Sequence, residues 1–199
     1  MKSVMLSINP FWCQKIGSGL KTIEVRKTRP RIDTPFKCYI YCTKKGRPLV
    51  WGDVFRGGEF VTEFVQTHGY SKENAERIWD VFNGSVCGEF ICDRIECSAD
   101  PAGGLVDVVT EKQSCMSAKE IIQYADGDLL YFWHISQLKI YDSPIGLQSF
   151  MLPCNEELDK EGFPPCEKCE YSVQFYGCKK TLLRPPQSWC YVDDADGDE

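Results

Sequence analysis

Apolar side chains recur at every second position over short runs of this chain, and that period constrains its fold more than any other feature. Val4, Leu6 and Ile8 alternate with Met5, Ser7 and Asn9, while Ile23 and Val25 alternate with Thr22, Glu24 and Arg26. Phe36 to Cys42 is a third such run, rich in Tyr and Cys. A period of two sends successive side chains to opposite faces of an extended strand. Val86 to Ile95, Leu129 to Tyr141 and Gln187 to Val192 complete the set, with turn residues between them. Helices interrupt the pattern. Asn9 is a good N-cap and Pro10 suits the first helical position, so a helix runs through Phe11, Trp12 and Ile16 until Gly17-Ser18-Gly19 stops it. Ser71 caps a second, with Ala75, Ile78, Trp79 and Phe82 on one stripe, and Ser117 to Glu120 fits a capping box before Ile121 and Ile122. The predicted class is α+β, mainly β.

At 199 residues the chain is long for a minimal barrel and short for two full domains. The economical reading is one barrel domain over 1–150, with a helical insertion at about 49–84. A Cys-rich appendage over 151–183, a closing strand over 184–192 and an acidic, disordered tail over 193–199 follow. Apolar residues at 43% suffice for a core, yet no window approaches a membrane span and no signal-peptide pattern opens the chain. The expected compartment is the cytoplasm, where most of the 12 cysteines should be free thiols. Cys38 and Cys42 share a strand face with Ile40, and Cys87 and Cys92 sit in an apolar stretch, so these read as core residues. Cys166-Glu-Lys-Cys169 is different. It is a CxxC knuckle with Cys154 upstream and Cys178 downstream in an aperiodic segment, so these four are candidate ligands of a structural zinc ion, with free thiols as the alternative. No cofactor beyond that is indicated.

The net charge of −6 conceals an asymmetry: residues 1–50 carry eleven Lys and Arg against Glu24 and Asp33, a net of +9, which leaves −15 for the remainder. A basic segment within an acidic chain points to a local anionic site rather than indiscriminate nucleic-acid binding. Within it, Gly19, Lys21, Glu24 and Arg26 form the most informative constellation. Gly19 lets the chain turn out of the helix, and Glu24 and Arg26 project from one strand face with Ile23 and Val25 on the other. One carboxylate between two cations can hold a phosphate with the cations and accept from an amino group with the carboxylate. The same spacing would also arise from a surface strand carrying a Glu24–Arg26 ion pair, worth at most about 1 kcal/mol.

At these residues the sequence resembles the ASCH family, whose signature G-x-K-x-x-E-x-R is met by Gly19, Lys21, Glu24 and Arg26. The strand-to-helix entry from Met5 to Pro10 and the segment from Trp133 to Tyr141 are similar to the family too. The stretch from Arg184 to Tyr191 resembles the ending of short bacterial and phage members. The resemblance spans most of 4–145 and the closing strand. It implies a PUA-like small β-barrel flanked by helices, with a cleft for RNA or nucleotide-like ligands.

Two functions then compete. The first is recognition of RNA or a modified nucleoside by Lys21, Glu24, Arg26, Lys27 and Arg29, with Tyr39 and Trp51 as stacking platforms and Trp12 and Tyr41 nearby. The second is hydrolysis, either of a modified nucleoside, as in family members that resemble N4-acetylcytidine amidohydrolases, or of RNA. There Lys21 and Glu24 would be catalytic. Thr22, on the same face, is two residues from the position at which such enzymes carry a Thr, and Glu24 could instead serve as general base with Lys21 stabilising the oxyanion. No serine-hydrolase, phosphate-loop or dinucleotide motif is present, and His134 beside Trp133 reads as a packed residue.

Overall fold

The structure, a computed structural model, describes residues 2–44, 82–98, 108–153 and 181–193. The predicted helix opened by Ser71, Trp51, and all four candidate zinc ligands lie outside the described residues, as does most of the expected insertion and appendage.

In chain order the elements are β1 (Lys2–Ile8), α1 (Pro10–Gly17), β2 (Ile23–Arg26), β3 (Phe36–Cys42) and β4 (Ser85–Cys97). There follow α2 (Val108–Ser114), α3 (Ala118–Ala125), β5 (Tyr131–Ile145), a 3-10 turn (Leu147–Ser149) and β6 (Trp189–Asp193). Among the described residues the strands form one curled six-stranded half-barrel, ordered β2-β5-β4-β3-β1-β6. β1 and β3 are parallel, joined through α1 and β2; the other pairings are antiparallel. β6 runs through Asp193, which pairs with Lys2, so the sheet takes the first residue of the stretch expected to be a tail. α2 was not expected from the sequence.

The alternation places side chains as the period requires. Val4, Leu6 and Ile8 of β1 and Phe36, Cys38, Ile40 and Cys42 of β3 enter the main core, with Phe90, Trp133 and the α1 residues Cys13 and Ile16. Met5, Tyr39 and Tyr41 face the other way, into a second cluster around Phe150 and Val192. Both faces of β1 and β3 are therefore covered. A third, smaller cluster joins Ile23 and Val25 of β2 to Ile121, Ala125 and Leu130 around α3. The capping box at Ser117 is formed: its hydroxyl accepts from the Glu120 N–H at 3.3 Å, and Glu120 Oε2 accepts from the Ser117 N–H at 2.8 Å.

The two ends of the sheet, β2 and β6, do not pair with each other in the strand ladder. Side chains bridge them instead. Arg26 Nη1 donates to the Ser188 hydroxyl at 3.2 Å, Trp189 Nε1 to Thr28 Oγ1 at 2.8 Å, and the Arg31 N–H to the Tyr191 hydroxyl at 2.6 Å. The half-barrel thus has a seam held by side chains, and the first of these lies at the signature residues.

Candidate functional site

Asn9 Oδ1 accepts from the Phe11 N–H at 3.0 Å and starts α1; Gly19, at φ +74°, ends it. A Cβ at Gly19 would meet nothing within 4 Å, so the left-handed backbone, not space, is what favours glycine there. The turn delivers Lys21 to the mouth of β2. Directly across from Glu24 on β5 is Trp133, a main-core residue, so Glu24 and Arg26 point into the concave side of the half-barrel. The Glu24–Arg26 ion pair that the spacing also allowed is formed, but it is buried and not on the surface. Lys21, Glu24 and Arg26 are 2%, 6% and 8% exposed.

Each cation has a backbone anchor. Lys21 Nζ donates to the Ser114 carbonyl at 2.9 Å, at the C-terminal end of α2, where helix carbonyls lack intrahelical partners. Arg26 Nη2 donates to the Ser7 carbonyl at 2.9 Å, and Nη1 reaches Ser188. Glu24 is placed between them: Oε2 lies 3.4 Å from Lys21 Nζ and Oε1 lies 3.0 Å from Arg26 Nε. These are attractive contacts but not aligned hydrogen bonds. Glu24 Oε2 and Arg26 Nε, both buried, have no hydrogen-bond partner among the described residues. Trp133 Nε1 is in the same condition. A buried carboxylate normally has its lone pairs satisfied, so Glu24 departs from the usual pattern.

The three residues line one cleft of about 170 Å³, together with Trp12, Met116 and Tyr124. The Lys21 ammonium sits 4.8 Å from the centroid of the Trp12 ring. Charged groups meet aromatic and apolar side chains there, and Ser7 and Asn9 line it as well.

The remaining predicted residues fall elsewhere. Tyr39 is not in the cleft: it is buried in the second cluster, its ring edge-on to Phe150 with centroids 4.8 Å apart, because odd-numbered residues of β3 face away from the main core. Tyr41 goes the same way. Lys27 is at the periphery, ion-paired to Asp128 at 2.8 Å and near the Tyr124 ring, and Arg29 is exposed on the following loop. Thr22 does not share the Glu24 cleft. It precedes β2, its backbone bonded to Gln113 and Ile135, and it lines a separate depression with Arg94 and His134. His134 Nε2 lies 3.3 Å from Glu96 Oε2.

The sequence reading missed the supporting groups. Ser114 carried no signal, since α2 was not foreseen; Ser7 lay within a recognised segment but acts through its backbone oxygen, which no residue type announces, and Ser188 acts through its hydroxyl, which the sequence did not single out.

Comparison with known proteins bears on the fold. A crystal structure of a point mutant of ZmASCH from Zymomonas mobilis is similar with a TM-score of 0.51 and 16% sequence identity, over 98% of this chain and 93% of that one. The crystal structure of ASCH from Zymomonas mobilis gives 0.48 and 16%, over 96% and 87%. No protein-family profile and no curated protein sequence matches the chain. The first likeness shows an ASCH-like, PUA-like architecture. No described helix is long and apolar enough to cross a membrane.

Proposed function

Proceeding from that architecture, we propose that this chain binds RNA or a nucleoside by taking one base into the Lys21–Glu24–Arg26 cleft. The observation that carries the proposal is the carboxylate of Glu24, a residue only 6% exposed, flanked by two cations and unbonded at Oε2. A site that served only stability would satisfy these groups or replace them with apolar ones. The cleft's size supports a single ring rather than a strand: about 170 Å³ is well below the ~300–1,000 Å³ usual for larger ligands. Trp12 and Tyr124 supply aromatic surface of the kind on which unstacked bases rest. The exposed Arg29 and Arg31 lie on the loop that continues from β2, where a phosphate of the same ligand would be met.

Binding is favoured over hydrolysis that uses a threonine because Thr22, the hydroxyl that such an amidohydrolase-like mechanism would pair with Lys21, lines the other depression. Titration of short single-stranded oligoribonucleotides by fluorescence anisotropy tests the reading. Lys21→Ala and Glu24→Gln should each weaken binding about tenfold or more, whereas Lys139→Ala, on exposed β5 surface, should change it little. Circular dichroism melts would establish that the variants fold. Equal affinity of folded Glu24→Gln, Lys21→Ala and wild type would overturn the proposal.

A further inference from the structure

The order of donors and acceptors along the cleft floor is more informative than its charge. From one side to the other it runs Lys21 Nζ, Glu24 Oε2, Glu24 Oε1, Arg26 Nε, with 3.4 Å between the first two and 3.0 Å between the last two. That is donor, acceptor, acceptor, donor. Lys21 has donors to spare, since an ammonium carries three N–H groups and only one is committed, to Ser114. Glu24 Oε2 and the buried Arg26 Nε have no hydrogen-bond partner among the described residues, and Glu24 Oε1 lies 3.0 Å from Arg26 Nε.

We infer that the cleft selects guanine. This rests on the base-binding reading above and deepens it. The guanine edge presents, in order, the O6 carbonyl, the N1–H, the N2 amino group and the N3 lone pair: acceptor, donor, donor, acceptor. It complements the floor position by position, with both carboxylate oxygens accepting from neighbouring N–H groups. The other bases leave a mismatch. Uracil offers a single N–H between two carbonyls and satisfies one carboxylate oxygen only. Cytosine sets the N3 lone pair against the carboxylate beside its one amino group. Adenine has one amino group and no adjacent N–H. Each mismatch leaves a buried polar atom unpaired, which is how a preorganised polar site discriminates. Arg26 is held on its far side by Ser7 and Ser188, so the array is fixed by groups that do not need the ligand.

Isothermal titration of the wild-type chain with the 5′-monophosphates of guanosine, inosine, adenosine, cytidine and uridine tests this with the phosphate held constant. Guanosine monophosphate should bind most tightly. Inosine, which lacks only the N2 amino group, should be weaker by about tenfold. Glu24→Gln, with its fold checked by circular dichroism, should abolish the difference between those two, because the amide retains one acceptor oxygen. Comparable affinity for all five nucleotides would remove the guanine inference and leave base binding standing. A preference for another base would do the same. Binding of none of the five, by the wild-type chain, would remove both.

Discussion

β2 and β3 are both buried strands, and they bury opposite kinds of chemistry. Toward the main core β3 directs Phe36, Cys38, Ile40 and Cys42, and its reverse face sends Tyr39 and Tyr41 into a second apolar cluster. On its apolar face β2 is equally ordinary, with Ile23 and Val25 against α3. Its concave face, however, carries Glu24 and Arg26, both less than 10% exposed. Desolvating three charges costs more than their mutual attraction returns unless every hydrogen bond is made, and here Glu24 Oε2 and Arg26 Nε are left without one. β3 is arranged for stability. The concave face of β2 departs locally from the rules that the rest of the sheet obeys, and such a departure is where function is expected.

The largest effects should come from breaking each strand in its own way. Ile40→Ala, in the β3 core, should lower the unfolding free energy by about 2–5 kcal/mol in urea denaturation. Glu24→Ala should cost about 3 kcal/mol, because it strands Lys21 and Arg26 as buried cations without a counter-charge. The combined variant Lys21→Met, Glu24→Leu, Arg26→Met removes all three charges together and should be more stable than Glu24→Ala alone, while losing ligand binding. Were the triple variant as unstable as the sum of its single changes, the charges would be structural and the contrast between the strands would fail.

A smaller effect concerns thiol reactivity, which separates the β3–β4 core from the surface. Burial pushes the Cys92 thiol up to about 12 and the Cys190 thiol up to about 11. Cys13 and Cys38 are raised as well, again chiefly by burial. At pH 8 a thiol at about 12 is roughly one part in 10⁴ thiolate, the reactive form. Cys97 is exposed. Brief alkylation of the native protein followed by peptide mass spectrometry should therefore find Cys97 labelled and Cys92 and Cys38 unlabelled until denaturant is added. Labelling of Cys92 as fast as Cys97 would mean that the core opens readily.

How much of this was legible in the chain depends on the kind of interaction. The strands of the sheet and two helix starts were readable, because the period of two, the Asn9-Pro10 entry and the Ser117–Glu120 box are local signals. The grouping of Lys21, Glu24 and Arg26 was readable from spacing and resemblance, but not its burial. That follows from β5 pairing with β2, which sets Trp133 across from Glu24, and strand pairing at a distance of about a hundred residues leaves no local trace. Tyr39 was misplaced for a related reason: alternation says that two faces differ, and only the packing of Phe150 says that both are covered. Thr22 obeyed the alternation on paper, yet β2 starts one residue later, so the period does not reach it. Ser114 and Ser7 contribute backbone oxygens that any residue could supply, and Ser188 a hydroxyl about 160 residues away that no local pattern links to Arg26.

The smallest predicted effect tests whether support for β2 reaches it from behind. Ile121 and Ala125 of α3 pack under Ile23 and Val25, so the cap that starts α3 also steadies the strand that carries the cleft. Ser117→Ala removes the hydroxyl acceptor of the cap and should cost about 1 kcal/mol. The carboxylate side of the box gives a pH signature. The Ser117 N–H and hydroxyl donate to Glu120 and hold its carboxyl below the usual range. A depressed folded-state value means that the contribution is complete above the unfolded carboxylate's ordinary value and is lost as pH falls through the lowered one. In Glu120→Gln the amide still accepts from the Ser117 N–H but no longer titrates. The wild-type chain should thus melt higher than Glu120→Gln at pH 7, and the gap should narrow on acidification and close once the carboxyl is protonated. Thermal melts from pH 7 to pH 3 read this directly. A gap that is constant across that range would mean that the charge of Glu120 does not contribute to the cap.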